Sequence, residues 1–490
     1  MDSAGNIYVT GWFKGTAVFG AFTLNSNGYR DVFVAKADPD GNWLWANSAG
    51  GPGVDCGNCL DVDASGNSFV TGYFYASATF GGSVITSAGL SDIFVAKLDP
   101  AGNWVWASRA GGPYHDFGNA ITVGGAGLIF VTGSFESIAS FGSTSLTSSG
   151  ASDIFLTVLG ELGAWLVAIR AGGPGWDAGQ DVIRDSFGNI YVTGSYEITA
   201  TFYTSTLNSY GADDIFLAKF DPAGLFIGVM GAGSVGGDYG WDLAADSAGN
   251  VFLAGSFYGT AYFGPVTLIS NGLFDVFVAK ILPAFVLEFA VAGGGPQYDK
   301  ASGVNVDSAG NIYVTGYYNG TATFGSHVLP WRDGDNIFAA KLDPAGNWLW
   351  VQWAGGNDND LGCDIEVDGA GNSFVTGSFI STAEFGPFLF SYPDEVMKMF
   401  LAKLRFGTNI PLSPQNLSIS AIEFICYLTW SPVTQDINGY PLTPDHYQVF
   451  WAEDPEGPYT PVLPLATNCW WFGSNAQPAG FYRVTAVVEE

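Results

Sequence analysis

Short hydrophobic runs alternate with Gly-, Asp- and Asn-rich segments along residues 1–407. In residues 57–109 the pattern predicts four strands, A to D, with the sequences CLDVD, SFVTGYF, SDIFVAKLD and WVWASRAGG. Strand C is a nearly continuous apolar run, which is typical of a strand covered on both faces. The segments DASGN and DPAGN are tight turns, because Asp binds nearby backbone amides and Gly accepts positive φ. The pattern therefore predicts two antiparallel hairpins, A–B and C–D, in each unit.

This unit returns every 61 residues in seven copies, and the stretch DSAGNIYVTG at Asp2 is repeated letter for letter at Asp307. The segment between strands B and C, ASATFGGSVITSAGL in the second copy, is long enough for a small hairpin of its own. One four-stranded antiparallel sheet per copy is typical of a propeller blade. The sequence therefore predicts an all-β protein, a seven-bladed β-propeller of 61-residue repeats followed by a small β-sandwich.

Counting the predicted strands gives seven of type B and seven of type C but only six each of types A and D. Blade 1 lacks strand A and blade 7 lacks strand D. We therefore expect an N-terminally truncated propeller over residues 1–407, in which about twenty upstream residues would supply both strands and close the ring. Residues 408–415, TNIPLSPQ, are a Pro-rich linker, and residues 416–490 contain alternating strands that suit the β-sandwich.

The formal net charge of −30 argues against partners with phosphate backbones, so we expect no nucleic-acid binding. An acidic protein attracts cations, calcium among them, but solubility alone also explains the acidity. No run of eighteen apolar residues occurs, so no membrane span is predicted.

Cys426 and Cys469 could form a disulfide between the sheets of the sandwich or remain two separate buried thiols.

The motifs D-x-x-G-N-x-Y-V-T-G and D-I-F-V-A-K-L-D-P-x-G-N resemble the SBBP-type β-propeller repeat over residues 1–407. The third copy departs from it with GGAGLIFVTG and TVLGELGAW, where we expect an altered turn but not a lost blade. The C-terminal module resembles a fibronectin type III domain, with Trp430 at the core position and Tyr447 and Tyr482 in the Y-x-V strands. These resemblances imply a bacterial protein that is extracellular or at the cell surface, its secretion signal lost with the upstream piece.

No catalytic constellation is present in the sequence: His115, His327 and His446 are not repeated, and no nucleophile elbow, P-loop or zinc motif occurs. DPDGN at Asp38 resembles the start of a calcium loop but lacks the glutamate at its twelfth position, so a hairpin turn explains it better. We therefore predict a non-enzymatic protein without a cofactor or a structural metal, with calcium as the one cation to test.

The A–B and C–D turns lie on one face of a propeller, so the long D–A and B–C connections share the other face, which we call the loop face. On its D–A connections an aspartate recurs, with aromatic residues beside several copies. Carboxylates beside aromatic faces suit sugars and also cations; the alternative is that each aspartate caps backbone amides of its loop. The candidate ligand-binding residues are Asp55, Asp116, Asp177, Asp238, Asp299, Asp360, Tyr114, Trp176, Tyr239 and Tyr298.

A second aspartate ring opens strand C, and the strand-C lysines could pair with these acids between blades. The paired tryptophans of strand D are expected to pack between outer blade edges in preference to forming a sugar platform. The second ring comprises Asp31, Asp92, Asp153, Asp214, Asp275 and, in copy six, Asn336.

Two functional hypotheses follow. The first is a monomeric binding or scaffold protein, acting in adhesion or recognition, whose loop face takes a glycan or protein ligand. The second is a polysaccharide-acting lyase or hydrolase with acids at the channel mouth, which would need a unique acid or base pair in one blade. His115 beside Asp116 is the one lone base near the mouth.

Overall fold

The computed structural model describes residues 1–392 and 396–404, and beyond them only the backbone of six strands. The chain divides into two compact units, Met1–Lys403 and Leu404–Glu490. In the part that is described, no helix is long and apolar enough to cross a membrane. The single helical segment is a 3₁₀ turn at Gly125–Gly127.

The first unit is a ring of seven antiparallel sheets, which confirms the predicted all-β, seven-bladed propeller. Five sheets have four strands in the order A-B-C-D; the first has the order B-C-D and the last A-B-C. Among the described residues no strand occupies position A of blade 1 or position D of blade 7. Strands A are Cys56–Val62, Asp116–Val123, Ala178–Arg184, Tyr239–Ala245, Lys300–Val306 and Leu361–Val367. Strands B are Ile7–Phe13, Ser68–Phe80, Ile129–Phe135, Ile190–Phe202, Val251–Phe263, Ile312–Asn319 and Ser373–Phe379.

Strands C are Asp31–Ala37, Ser83–Leu98, Asp153–Leu159, Ser205–Phe220, Val266–Leu282, Asp335–Leu342 and Lys398–Leu404. Strands D are Trp43–Ala49, Trp104–Ala110, Trp165–Ala171, Phe226–Ala232, Val286–Gly293 and Trp348–Ala354. The predicted hairpin in the B–C connection is present in every blade, continuous with strands B and C in blades 2, 4 and 5. Elsewhere its strands are Thr16–Phe19 and Phe22–Asn25, Ile138–Phe141 and Thr144–Thr147, Ala322–Phe324 and His327–Leu329, and Thr382–Phe385 and Phe388–Ser391.

The recurring turn is held by its first aspartate. Asp307 Oδ1 accepts hydrogen bonds from the backbone N–H groups of Ala309 and Asn311, both at 2.9 Å, and Gly310 adopts a positive φ of 81°. In the third copy the 3₁₀ turn replaces this arrangement, and both neighbouring strands still form. The opening stretch DSAGNIYVTG is therefore a turn followed by strand B, as predicted.

Blade 7 packs directly on blade 1. Phe374 is buried in the cluster that contains Ile7 and Phe33 of blade 1. Lys403 Nζ donates to the carbonyl oxygen of Pro39 at 3.0 Å, just as Lys219 Nζ donates to that of Pro283 in the next blade at 2.7 Å. The contact that joins successive blades thus also closes the ring.

The predicted pairing of the strand-C lysines with the second aspartate ring is wrong. Asp31 lies opposite Phe13 and Lys36 opposite Tyr8 in the register, which separates the two by five residues, about 17 Å along the strand. Lys36 pairs with the turn residue Asp2 instead, at 3.2 Å. The strand-D tryptophans bridge neighbouring blades as predicted: Trp45 Nε1 donates to the carbonyl oxygen of Pro100 at 3.2 Å, and Trp104 Nε1 to that of Ser48 at 3.0 Å.

The second unit contains two three-stranded sheets. One pairs Ser418–Ile422 with Ile425–Thr429 and the latter with Trp470–Gly473. The other pairs His446–Ala452 with both Thr460–Ala466 and Phe481–Val487. The side chains named in the sequence predictions, Cys426, Trp430, Tyr447, Cys469 and Tyr482, lie outside the described residues.

Candidate functional site

The six aspartates of the first predicted ring are fully buried in their loops. Asp55 Oδ2 accepts the backbone N–H of Gly51 at 2.7 Å, and its Oδ1 accepts that of Tyr75 in the next blade at 3.2 Å. Each of the other five makes the same two contacts. This placement favours the structural alternative, in which each aspartate joins two blades; direct ligand contact by the ring stays a prediction.

Burial raises the pKa of these carboxyl groups. It brings that of Asp55, Asp116, Asp177 and Asp299 to about 7 and that of Asp238 and Asp360 to about 6. A carboxylate of the second ring lies nearby, and its charge raises the pKa of Asp55 further. The interiors of the blade junctions therefore favour neutral carboxyl groups.

The second ring lies beside the first. Asp31 Oδ2 accepts the N–H of Asn27 at 2.9 Å. A side chain at Gly50 would contact both Asp31 Oδ1 and Asp55 Oδ2, so only glycine fits between the two carboxyl groups. In the described part of the chain Oδ1 has no hydrogen-bond partner in any member of this ring: Asp31, Asp92, Asp153, Asp214, Asp275 and Asn336.

Three further acids, which the sequence reading missed, lie on the innermost strands, where strands A of successive blades pack side by side. Asp181 Oδ2 accepts the N–H of Leu243 at 2.9 Å, and Asp242 Oδ2 accepts that of Val304 at 2.6 Å. Burial raises the pKa of Asp181 and Asp364 to about 6, and burial together with the charge of Asp181 raises that of Asp242. Within residues 1–392 and 396–404 no three His, Cys, Asp or Glu side chains are placed to hold a metal ion. The hydrogen bonds of Asp181 and Asp242 link neighbouring strands A.

A polar cavity of about 180 Å³ lies on the loop face between blades 3 and 4. This space is large enough for one ring-sized group. Side chains from strands A and B and from the loop-face connections of both blades line it: His115, Phe117, Ser134, Glu136, Ser152, Trp176, Ala178, Ser195 and Asp213.

The cavity exists because three positions carry small side chains. Ser134 and Ser195 occupy the repeat position at which blades 2 and 6 carry Tyr73 and Tyr317. Ala178 occupies the position of Tyr239 in blade 5. Tyrosine at these points would extend into the space, so the cavity depends on the small residues that blades 3 and 4 carry here.

The serine hydroxyls in this cavity are available for a ligand. Ser195 is 6% and Ser134 is 9% exposed, and among the described residues neither hydroxyl has a hydrogen-bond partner. The equivalent Ser256 in blade 5 accepts the indole N–H of Trp241 at 3.3 Å. The Ser134 and Ser195 oxygens are both open to the cavity, so a polar ligand that displaces water there can bond to them.

The remaining wall combines an aromatic face with acids and an imidazole. Trp176 is 56% exposed. His115 Nδ1 lies 3.0 Å from Ser91 Oγ, which orients the ring. Asp213 Oδ2 accepts the hydroxyl of Tyr239 at 3.0 Å, and burial raises the pKa of this carboxyl group. An indole face, acceptors and hydroxyls in one concave site are the groups by which proteins hold sugars.

Two of the four predicted aromatic residues, Tyr239 and Tyr298, contact the same ring, that of Phe274. Trp176 lines the cavity. Tyr239 donates its hydroxyl hydrogen to Asp213, which also lines the cavity. Tyr298 is stacked on Phe274, with 5.6 Å between ring centroids, and Tyr114 is half exposed. Glu136, Asp213 and the serines were missed. The signal that could have found them is variation between blades. At the repeat position of Asp213 the first six blades carry Arg30, Ser91, Ser152, Asp213, Phe274 and Asp335.

Comparison with known proteins gives distant similarity. No protein-family model matches the chain. It is 22% identical over 430 residues to the uncharacterized WD repeat-containing protein L264 of Acanthamoeba polyphaga mimivirus, covering 69% of this chain and 31% of that protein. It is 25% identical over 365 residues to the regulatory protein FlaEY of Caulobacter vibrioides, covering 64% of this chain and 37% of that protein. The chain thus spans about a third of the length of these relatives.

Proposed function

We propose that this protein is a secreted or cell-surface binding protein without catalytic activity, and that the cavity between blades 3 and 4 recognises a glycan. A rigid ring that presents loops on one face suits a binding or scaffold role, and the similarity to a WD repeat-containing protein supports it. The bacterial and extracellular setting is the expectation that the SBBP-type repeat motifs imply.

The observation that carries the proposal is the asymmetry of the cavity. The carboxyl groups of the first aspartate ring are occupied by backbone amides, whereas the cavity leaves the Ser134 and Ser195 hydroxyls without partners among the described residues, beside an exposed indole. Unsatisfied polar groups next to an aromatic face favour a ligand with hydroxyls and an apolar ring face, which is the chemistry of a pyranose.

The test is a glycan array probed with the full chain and with Ser134→Tyr. This substitution introduces the residue that blades 2 and 6 already carry at the same position, so the blade is expected to fold and the cavity to be filled. Binding by the wild type that Ser134→Tyr abolishes supports the proposal. Binding that survives Ser134→Tyr places the ligand elsewhere.

A second pair of variants tests whether the ligand binds to the Trp176 indole in particular or to any exposed aromatic ring. Trp176→Ala is expected to weaken binding at least tenfold, since stacking on an aromatic ring contributes about 1–3 kcal/mol. Tyr298→Ala, which removes a similarly exposed aromatic side chain elsewhere on the loop face, is the matched control. Equal losses in both variants contradict the proposed site.

The same incubations test catalysis and calcium. Mass spectrometry of the bound glycan after prolonged incubation detects chain cleavage or elimination, and either product overturns the non-enzymatic proposal in favour of a polysaccharide lyase or hydrolase. Arrays with calcium and with a chelator test the cation: we propose equal binding in both.

A further inference from the structure

We propose that the glycan held between blades 3 and 4 carries a positively charged amine, as in a saccharide built of non-acetylated hexosamine. This inference rests on the proposed function and deepens it by naming the ligand class.

The first step is the charge of the wall. Glu136 and Asp213 line the cavity. Glu197 lies next to it, because its Oε2 accepts the backbone N–H of Trp176 at 3.1 Å. Among the described residues none of these three acids forms an ion pair.

The nearby arginines are already engaged. Arg109 pairs with Asp92, and Arg170 pairs with Asp153. The only basic group in the wall is His115, whose Nδ1 is hydrogen-bonded to Ser91. A cationic ligand would therefore meet acidic groups that the described part of the protein leaves without a counterion.

The second step is independent of charge. An ammonium group has three donors and no acceptor, so it needs several acceptors that converge on one point. Ser134 and Ser195 offer hydroxyl oxygens that are open to the cavity and have no partner among the described residues, in the same cavity as the carboxylates. Hydroxyl and carboxylate acceptors around a space for one ring match an amino sugar better than a neutral sugar, which brings as many acceptors as donors.

The third step is that the acids of the cavity wall are specific to certain blades and are not part of the repeat. At the repeat position of Asp213, blade 1 has Arg30, blade 5 has Phe274 and blade 6 has Asp335; at that of Glu136, blade 1 has Lys14, blade 4 has Glu197 and blade 7 has Ile380. The repeat thus does not require an acid at either position.

The experiment compares three β-1,4-linked tetrasaccharides that differ only at carbon 2: glucosamine, N-acetylglucosamine and glucose. Isothermal titration of the full chain at pH 6 and low salt is expected to give at least tenfold tighter binding of the glucosamine oligomer. Raising the salt to several hundred millimolar is expected to weaken this binding, because screening acts on the charged pair. Glu136→Gln and Asp213→Asn should each cost about fivefold to tenfold in affinity for the amine.

Asp333→Asn is the matched control, since it removes one exposed acid from the loop face of blade 6 and should change the affinity less than twofold. Equal affinity for all three oligomers, with loss in Ser134→Tyr, overturns the amine inference and leaves glycan recognition standing. Absence of binding by all three, with another glycan captured on the array through this cavity, overturns the amine inference too. Tetralysine that binds as tightly as the glucosamine oligomer, and is lost in Ser134→Tyr, overturns the saccharide and indicates a basic peptide.

Discussion

The substitution Asp214→Asn should stabilise the propeller at pH 8, and by less than half as much at pH 5. Asp214 has no solvent exposure. Its Oδ2 accepts the N–H of Tyr210 at 2.6 Å, whereas its Oδ1 has no partner in the described residues. Burial, with a contribution from the charge of Asp238, raises its pKa from 3.8 to about 7.

The sign follows from linkage. A carboxyl group whose pKa is higher in the folded than in the unfolded state contributes its full stability below about pH 4, and that stability is lost as the pH rises through about 7. A shift of about 3 units corresponds to about 4 kcal/mol at 1.36 kcal/mol per unit. Solvent near the loop face screens part of the charge, so we take about half, ~2 kcal/mol, as the gain at pH 8.

Blade 6 shows that an amide fits this position. Asn336 stands where the other blades have aspartate, and its Nδ2 donates to the carbonyl oxygens of Asp333 at 3.2 Å and Gly334 at 3.3 Å. An amide at position 214 can direct its oxygen to the Tyr210 N–H and its nitrogen toward Asp238. The substitution therefore removes a charge without removing an acceptor.

The assay is urea unfolding of the full chain, followed by circular dichroism at pH 5 and pH 8. Asp343→Asn is the opposite control: this turn aspartate has a pKa lowered by hydrogen bonds from Asn347, so its carboxylate stabilises the fold above its unfolded pKa. Asp343→Asn should lower the urea midpoint at pH 8. A midpoint for Asp214→Asn that falls at pH 8, or that rises equally at both pH values, would refute the reasoning.

Two further predictions concern the blade junctions. Gly51→Ala should destabilise the fold by about 3 kcal/mol or more, because the new Cβ would overlap the carbonyl oxygen of Ser77 in the next blade; Gly82→Ala, with open space around it, should be near neutral in the same urea assay. Phe374→Ala should cost about 3–5 kcal/mol and raise hydrogen exchange in Ile7–Phe13. Exchange confined to blade 7 would contradict the direct contact between the last blade and the first.

The repeat period was enough to predict the ring, because each turn is determined by local residues that recur in register. Asp307, Gly310 and Asn311 make the same contacts wherever the motif is intact. The acids on the innermost strands were missed because a β-bulge shifts the register in every A–B pair, between Gly179 and Asp181 in blade 4. Simple alternation does not tell which side chain faces the neighbouring blade after such a shift.

The cavity was missed for a different reason. The cavity depends on small side chains, because Ser134, Ser195 and Ala178 stand where some other blades carry tyrosine. A small residue does not form a recognisable motif, so no sequence pattern indicated the cavity. Recurrence drew attention to the aspartate rings, and the structure shows that recurrence there accompanies hydrogen bonds to backbone amides. The lysine pairing was wrong because strand C places Asp31 and Lys36 at opposite ends.

The division between symmetric and asymmetric positions has a physical basis. A position used identically in every blade must satisfy the same backbone groups each time, as Asp55 and Asp116 do, so its polar atoms are consumed by the scaffold. A position free to differ, such as that of Asp213, has no such duty, and its polar atoms remain available to solvent or to a ligand. In a ring of this kind binding should therefore follow the positions that differ between blades, and a substitution that introduces another blade's bulkier residue at one of them, as Ser134→Tyr does, should remove binding while leaving the fold intact.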